Sequence, residues 1–202
     1  MSLFDSILER ARANPQTVVL PESTDPRIVE AASRIARDKL AVPVLVGNPE
    51  SIYRVAEGAD LALTGIEIAD PATDSHSTAY AEMLFELRKA KGLEREQAEN
   101  LARSPLYFGA LMLRNGDAQG YVAGAANTTS DVLRAALQII GMAESARLVS
   151  SFFIMEHELP HQAIRGTAVY ADCAMVIDPD PEQLADIAMK TADSASSLLN
   201  LD

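Results

Sequence analysis

The chain is poor in the residues that build disulfides and aromatic surfaces. Among its 202 residues it has one cysteine and no tryptophan, and only 5% of the residues are aromatic. A lone Cys173 excludes an internal disulfide and is typical of a reducing compartment. No apolar run approaches the ~18 residues of a membrane-spanning helix. The amphipathic N-terminus lacks the basic start and apolar centre of a secretory signal. From these absences we expect a soluble, cytoplasmic protein.

Positive charge is also scarce. Lys and Arg number 17 against 29 Asp and Glu, which gives a formal net charge of −12 at pH 7. A surface this acidic argues against nucleic acid and anionic membranes as general partners. An anionic small-molecule substrate would need local arginines to overcome the overall field. Hydrophobic residues make up 48% of the chain, which is enough for a substantial core.

Apolar segments of strand length alternate with helical patterns along the chain. Predicted strands lie at 17–20, 41–46, 66–69, immediately before Gly124, at 148–155 and at 166–177. Predicted helices lie at 4–13, after Asp25-Pro26, after Pro49, and at about 76–91, 94–102, 104–115, 131–140 and 182–199. This alternation predicts an α/β fold with three α/β/α layers around a mainly parallel sheet. In such sheets ligands bind beyond the carboxyl ends of the strands.

The segment from Gly120 to Ile140 is the most informative part of the sequence. It predicts a short strand, a small polar turn and a helix, an order that aims free backbone N–H groups at an anion beyond the strand. Residues 124–126 are glycine and alanines and leave the approach open. The turn that follows adds side-chain oxygens and one amide, from Asn127, Thr128, Thr129 and Ser130. Thr128 and Asp131 fit a capping pattern, so the helix is predicted to start here.

Arg134 is unusual at this place, because the first turns of a helix mildly disfavour a cation. Two interpretations are open from the segment alone. Arg134 is either a surface residue paired with Asp131 or solvated, or it holds an anion together with the N–H groups. The turn of residues 21–25 occupies a similar position after the first strand, and we interpret it as a capped helix entry rather than a substrate contact.

Other reactive side chains give weaker signals. Cys173 has no histidine near it in sequence and is interpreted as an inert buried thiol. His157 and His161 flank Glu158 but lack the spacing of a metal site, so no metal is expected. Asp172 is predicted inside an apolar strand, either as a buried structural carboxylate or facing the cleft.

The sequence also carries an ordered series of motifs. They are Val18–Glu22, Ala41–Asn48, Phe85–Lys89, Tyr107–Gly109, Gly116–Gly120, Val122–Arg134, Leu137–Ile139, Ser150–Ile154 and Ala171–Ala174. In this order they resemble the phosphate acetyl/butyryltransferase family, and most of all its phosphate acetyltransferases, over nearly the whole chain. Ala135 departs from the family pattern, in which many members have proline. The change is small, because proline near a helix start is convenient rather than necessary.

The resemblance implies an enzyme of acetate metabolism that moves an acetyl group reversibly between acetyl phosphate and coenzyme A. It implies a two-domain fold similar to isocitrate dehydrogenase, usually dimeric, with the substrate cleft between the domains. Residues 1–145 would form the first α/β domain with the phosphate-binding turn, and 146–202 the start of the second. No metal or tightly bound cofactor is implied, since coenzyme A is a substrate. The expected partners are acetyl phosphate, phosphate, coenzyme A and a second copy of the chain.

The resemblance also implies which residues bind substrate. Arg88 and Arg134 match the two arginines of this part of the family, and the 127–130 turn matches its substrate-lining loop. By position alone, Arg88 would be a cation that suits the end of a helix. The family's serine–arginine pair and the aspartate proposed as general base would lie beyond Asp202. We therefore expect this chain to be the N-terminal portion of a longer enzyme, with doubtful activity alone.

Two classes of function follow. The first is an acyltransferase, with phosphate acetyltransferase preferred and phosphate butyryltransferase as the alternative within the class. The second is a non-catalytic module that binds phosphate or coenzyme A and has lost the chemistry.

Overall fold

The computed structural model describes residues 3–144, 146–157, 161 and 166–199. They fall into two compact units. The sheet unit comprises Glu9–Gly141, and the hairpin unit comprises Met1–Leu8 with Met142–Asp202. Helix α1 (Leu3–Ala13) begins in the hairpin unit and ends in the sheet unit.

The sheet unit contains four strands and six further helices within its described residues. The strands are β1 (Gln16–Leu20), β2 (Ala41–Val46), β3 (Glu67–Ala69) and β4 (Gly120–Tyr121). The helices are α2 (Pro26–Arg37), α3 (Pro49–Gly58), α4 (Ser77–Arg88), α5 (Arg95–Ala102), α6 (Pro105–Asn115) and α7 (Thr129–Ile139), with a short 3-10 turn at Lys89–Lys91. The predicted alternation of strands and helices is confirmed for this unit.

The four strands form one parallel sheet in the order β3-β2-β1-β4. Val18 pairs with both Pro43 and Gly120, so β1 lies in the centre between β2 and β4. Because the strands are parallel, the residues that follow β1 and β4 emerge at the same edge of the sheet. The candidate site forms at that edge.

Helices cover both faces of this sheet. Successive side chains of a strand point to opposite faces, and Val44 and Val46 pack into a core with α4, α5, α6 and α7. Leu45 points the other way, into a core with Val29 of α2 and Ile52 of α3. The predicted three-layer α/β/α arrangement with a mainly parallel sheet is therefore confirmed.

Local signals in the sequence set where the helices begin. Asp25 caps α2 by accepting a hydrogen bond from the Arg27 N–H at 2.9 Å, and Asn48 caps α3 through the Ser51 N–H at 3.1 Å. Each cap is followed by a proline, whose missing N–H is harmless in the first turn of a helix. The turn of residues 21–25 is thus a capped helix entry, as the sequence indicates.

The hairpin unit contains an antiparallel pair and one long helix. Strand β5 (Phe152–His157) pairs with β6 (Gly166–Ala171), and α8 (Pro181–Leu199) packs against β6. Ile187 and Ala195 are buried, whereas Phe153 is 61% exposed. In the described part of the chain no helix is both long and apolar enough to cross a lipid bilayer.

The predicted strand at 148–155 begins four residues before β5 and ends two residues short of it, and the predicted strand at 166–177 runs six residues past the end of β6. Asp172 supplies the physical reason for the late start of β5 and the early end of β6. Its carboxylate accepts hydrogen bonds from the Ser151 N–H and hydroxyl at 2.9 and 2.7 Å. It also accepts from the N–H groups of Met175 and Val176. Amides bonded to a side chain cannot join a strand ladder, so β5 starts after Ser151 and β6 ends before Asp172.

We predict that Gly109→Ala destabilises the protein although alanine is the better helix former. A Cβ at this position of α6 would lie 2.8 Å from Val19 Cγ1 and 3.0 Å from Tyr121 Cε2. Neither neighbour can yield easily, because Val19 is fully buried and the Tyr121 hydroxyl is bonded to the Leu106 carbonyl. We expect a net loss of about 1–3 kcal/mol in the free energy of unfolding, measured by urea denaturation.

The matched control is Gly58→Ala, in the last turn of α3, where a Cβ would meet nothing within 4 Å. This substitution should be neutral or should stabilise by up to about 1 kcal/mol. A stabilising Gly109→Ala would contradict the close packing of α6 on β1 and β4.

Candidate anion-binding site

The site is built where β1 and β4 end side by side. The Val122 N–H donates to the Val19 carbonyl at 3.0 Å, which extends the pairing to the last residues of both strands. Pro21 and Glu22 then leave β1, and residues 123–128 leave β4. Glu22 is consequently next to the turn that the sequence predicts to bind an anion.

The carboxylate of Glu22 occupies this turn. One oxygen, Oε2, accepts from the Gly124 and Ala125 N–H groups at 2.9 and 2.7 Å. The other, Oε1, accepts from the Ala126 and Asn127 N–H groups at 2.8 and 2.6 Å, and from Asn127 Nδ2 at 2.9 Å. The expectation that these amides are free for a ligand is therefore wrong. An anion does lie on them, but it is a side chain of the protein.

Glu22 is only 5% exposed and remains charged. Burial acts to raise the pKa of this carboxyl, but the hydrogen bonds from Asn127, Ala126 and Ala125 outweigh burial and lower its pKa from 4.5 to about 2. The amide dipoles stabilise this carboxylate, which keeps its full negative charge.

A second link joins the same two loops. Arg27 Nη2 donates to the Ala125 carbonyl at 2.7 Å and contacts Asp25 Oδ2 at 2.6 Å. The N–H groups of this turn are thus bonded to Glu22, and its Ala125 carbonyl is bonded to Arg27. The turn after β4 is held to the turn after β1 from two directions.

Helix α7 starts directly after residues 124–127, whose N–H groups are bonded to Glu22. Thr128 Oγ1 accepts from the Asp131 N–H at 3.2 Å and donates to Asp131 Oδ2 at 2.7 Å. The predicted capping pattern is confirmed. Asp131 Oδ1 in turn accepts from Arg134 Nη1 at 3.1 Å, and the Arg134 side chain is 57% exposed. The pairing interpretation of Arg134 is observed, and more than half of its side chain is exposed.

Arg88 and Arg134 lie on two helices that pack against α6, the helix that carries Tyr107. Arg88 is the last residue of α4, and helices α4, α6 and α7 pack on one another. Burial raises the pKa of Tyr107, while the positive charges of Arg134 and Arg88 oppose that rise. The Tyr107 hydroxyl donates to Gln138 Oε1 at 3.1 Å.

The remaining predicted residues fall into two groups. Asn127 is half-buried and its amide nitrogen is committed to Glu22. Thr129 and Ser130 open α7, are exposed, and use their side chains in no hydrogen bond to any described residue. Sequence reasoning missed the role of Glu22. The available signal was a carboxylate after one strand and a turn of small residues, rich in unsatisfied N–H groups, after another.

Two cavities of the sheet unit lie elsewhere. One of about 280 Å³ is between α4 and α5, and another of about 240 Å³ is beside β3, lined by His76, Tyr80 and Asp117 among others. Neither is lined by the six predicted substrate-binding residues. The two arginines, and the positive end of the helix dipole at the exposed start of α7, carry the charge that suits an anion.

The weaker candidates of the hairpin unit have structural surroundings. Hydrogen bonds to Ser151, Val176 and Ala174 outweigh burial and hold the pKa of Asp172 well below its usual range. Cys173 is half-buried, and its thiol donates to the Tyr170 carbonyl at 3.1 Å. His157 lies 3.4 Å from the Tyr170 hydroxyl, whereas Glu158 falls outside the described residues. No group of three or more His, Cys, Asp or Glu within the described ranges is arranged to hold a metal ion.

Comparison with known proteins assigns the fold and the sequence to one family. The sequence profile described as phosphate acetyl/butaryl transferase matches residues 2–202. The chain is 43% identical over 199 residues to a phosphate acetyltransferase of Acetivibrio thermocellus, and 40% identical over 202 residues to one of Thermoanaerobacterium thermosaccharolyticum. These alignments cover 98% and 100% of this chain but 59% and 61% of the relatives. The chain thus spans about three fifths of the length of the curated relatives it matches.

Solved structures support the same family assignment. A phosphotransacetylase from Streptococcus pyogenes superimposes with a TM-score of 0.89 at 32% identity, covering 99% of this chain and 59% of that one. The EutD phosphotransacetylase from Staphylococcus aureus gives a TM-score of 0.85 at 29% identity, covering 97% and 57%.

We call the hydrogen bonds from residues 124–127 to the Glu22 carboxylate the Glu22 clamp. They predict how the free energy of unfolding depends on pH. The folded-state pKa of about 2 lies below the ordinary value of 4.5. The carboxylate therefore contributes stability that is complete above pH 4.5 and is lost as the pH falls toward 2, a difference of roughly 3 kcal/mol. We expect Glu22→Gln to lower the free energy of urea unfolding at pH 7, and its deficit relative to the unsubstituted protein to shrink between pH 4.5 and 2.

Glu57→Gln, an exposed position on α3, is the control and should change neither quantity. A deficit of Glu22→Gln that is the same at pH 7 and pH 3 would contradict a charge-dependent clamp.

Proposed function

Because this chain belongs to the phosphate acetyl/butaryl transferase family, we propose that it is part of an acyltransferase that moves an acetyl group between acetyl phosphate and coenzyme A. The observation that carries the proposal is the family match over residues 2–202. Arg88 and Arg134 lie on helices α4 and α7, which pack on each other. The chain has a net charge of −12. A local pair of arginines is the feature that such a chain needs in order to attract an anionic substrate.

In this proposal the two guanidinium groups bind phosphate oxygens. Arginine can hold two oxygens of one phosphate in a planar fork, which lysine cannot do as well. Arg134 uses Nη1 for Asp131, which leaves the other edge of its exposed guanidinium for the substrate. Thr129 and Ser130 offer hydroxyls at the start of α7, where the helix dipole favours a negative group. Asn127 and Thr128 hold the turn in shape.

Acetyl transfer needs two kinds of residue: those that bind the phosphate and those that accept the proton of the thiol. The coenzyme A thiolate attacks the acetyl carbonyl carbon, the bond from that carbon to the phosphate oxygen breaks, and phosphate leaves with the electron pair. Arginines near the leaving phosphate would stabilise its growing charge. The residues that accept the thiol proton are proposed to lie in the part of the relatives that this chain does not cover.

We also infer the domain boundary, the cellular compartment and the oligomeric state of the complete protein. We infer a first α/β domain at 1–145 and the start of a second at 146–202. The change of compact unit after Gly141 supports a boundary near residue 145, whereas residues 1–8 group with the second unit. We infer that the protein is cytoplasmic, with coenzyme A as a substrate rather than a bound cofactor, and that it forms a homodimer. Multi-angle light scattering of the purified complete protein tests the dimer, and a monomer at working concentration would remove it.

The direct test of function is an assay of the complete protein with acetyl phosphate and coenzyme A. Thioester formation followed by absorbance should require both substrates and should run in reverse when phosphate and acetyl-CoA are supplied. Butyryl phosphate, in a parallel assay, separates the acetyl from the butyryl enzyme. Tight coenzyme A binding without thioester formation would instead favour a non-catalytic binding module.

Arg134→Lys and Arg88→Lys should each raise the KM for acetyl phosphate or coenzyme A, or lower turnover, by about tenfold. The reason is that a bidentate contact to a phosphate becomes a single one, a loss of about 1.4 kcal/mol. Steady-state kinetics with each substrate varied in turn measures the effect.

Arg54→Lys on the exposed side of α3 is the matched control and should leave both constants unchanged. Unchanged kinetics of Arg134→Lys would remove the anion role proposed for that residue.

A further inference from the structure

We propose that Glu22 is a positioning residue of the acyl transfer. Its carboxylate fixes the turn of residues 124–127 and, through that turn, the start of α7 that presents Arg134. The inference rests on the proposed function, because it assigns Glu22 a task only if Arg134 binds a substrate anion. Glu22 itself touches no reacting atom in this scheme.

Four consecutive peptide groups take their orientation from this one side chain. The two carboxylate oxygens divide the N–H groups of Gly124 to Asn127 evenly between them. The acceptor comes from the β1 side of the sheet, and the donors follow β4. The bonds therefore join two loops that no strand pairing reaches, at the edge where ligands bind in parallel sheets.

Packing does little to hold this turn. Gly124 has a φ of +112°, and a Cβ there would meet nothing within 4 Å. Val122, two residues earlier, is 56% exposed. Because few neighbours press on the backbone, the hydrogen bonds to Glu22 and the contact from Arg27 are what fix its path.

The fixed turn is coupled to Arg134 by a short chain of contacts. Asn127 is the last clamped residue, and Thr128 directly after it caps α7. The cap holds Asp131, and Asp131 holds Arg134. A shift of the turn would therefore move the first turn of α7 and the guanidinium together.

Glu22 also decides which groups are available to an incoming anion. With the carboxylate in place, the amides of residues 124–127 are saturated, and the arginines remain as the positive groups. Without it, four N–H groups would form an open nest that attracts anions by itself. Removal of Glu22 should thus both loosen Arg134 and create a competing anion site.

The test uses Glu22→Ala and Glu22→Gln in the complete protein, with formate as the probe. We expect kcat/KM for acetyl phosphate to fall at least tenfold in both variants, mainly through KM, because a displaced Arg134 binds the anion poorly. Formate should restore Glu22→Ala saturably by threefold or more, since its carboxylate can occupy the empty nest. It should not restore Glu22→Gln, whose amide fills that space. The unsubstituted protein is assayed at the same formate concentrations.

Asp117→Asn is the matched control for a general loss of stability. Asp117 is another carboxylate of the sheet unit, bonded to the Tyr80 hydroxyl and to Asn115 Nδ2, and it touches neither loop of the clamp. We expect this variant to unfold at lower urea concentration while keeping its kcat and KM.

Three results would overturn the inference. They are a wild-type kcat/KM in Glu22→Ala at a temperature where it is folded, a loss that formate does not restore, or an equal kinetic loss in Asp117→Asn. If the unsubstituted protein makes no acetyl-CoA, the proposed function fails separately. Calorimetric titration with coenzyme A then decides on Glu22: binding that is weakened tenfold in Glu22→Ala and recovered with formate supports positioning, and equal affinity refutes it.

Discussion

The carboxylate of Glu22 is the constraint on which the candidate site depends. It brings one buried negative charge to five N–H donors of a turn that the sheet alone would leave without support. A buried carboxylate is costly unless hydrogen bonds satisfy its oxygens, and here backbone amides satisfy both. The same bonds remove the amides from contact with any ligand. One interaction therefore shapes the turn and decides which groups remain free for recognition.

The two arginines of the candidate site place positive charge on a molecule that is acidic as a whole. Arg88 and Arg134 come from helices α4 and α7, which pack on each other, while amide hydrogen bonds stabilise the charge of Glu22 on the turn before α7. In the proposed function, these two arginines give an anion a favourable place on a chain of net charge −12. The local arrangement matters more for binding than the sign of the whole molecule.

The two units differ in how much apolar surface they bury. The sheet unit buries two cores, one on each face of its parallel sheet. The hairpin unit has a two-stranded sheet with Phe153 and Ile177 largely exposed. This contrast is consistent with a chain that spans about three fifths of the length of its relatives. The binding groups discussed above belong to the sheet unit, so their geometry is described within one compact body.

Sequence periodicity and capping residues were sufficient for most of the fold. Proline after Asp25 and Asn48, and the continuous apolar runs of β1 and β2, act over a few neighbouring residues, so they can be read without tertiary information. The predicted start of β5 and the predicted end of β6 were wrong because Asp172 withdraws amides from the ladder across 21 residues of sequence. Such a contact has no local signature.

By itself the sequence determined the layered α/β fold and the family, because each rests on local pattern or on residue identity. Only the tertiary structure decided what occupies the turn after β4. The Glu22 carboxylate and the Ala126 amide are 104 residues apart, and they meet because β1 and β4 are neighbours in the sheet. Strand order arises from the packing of the whole unit, and no short segment of the chain encodes it.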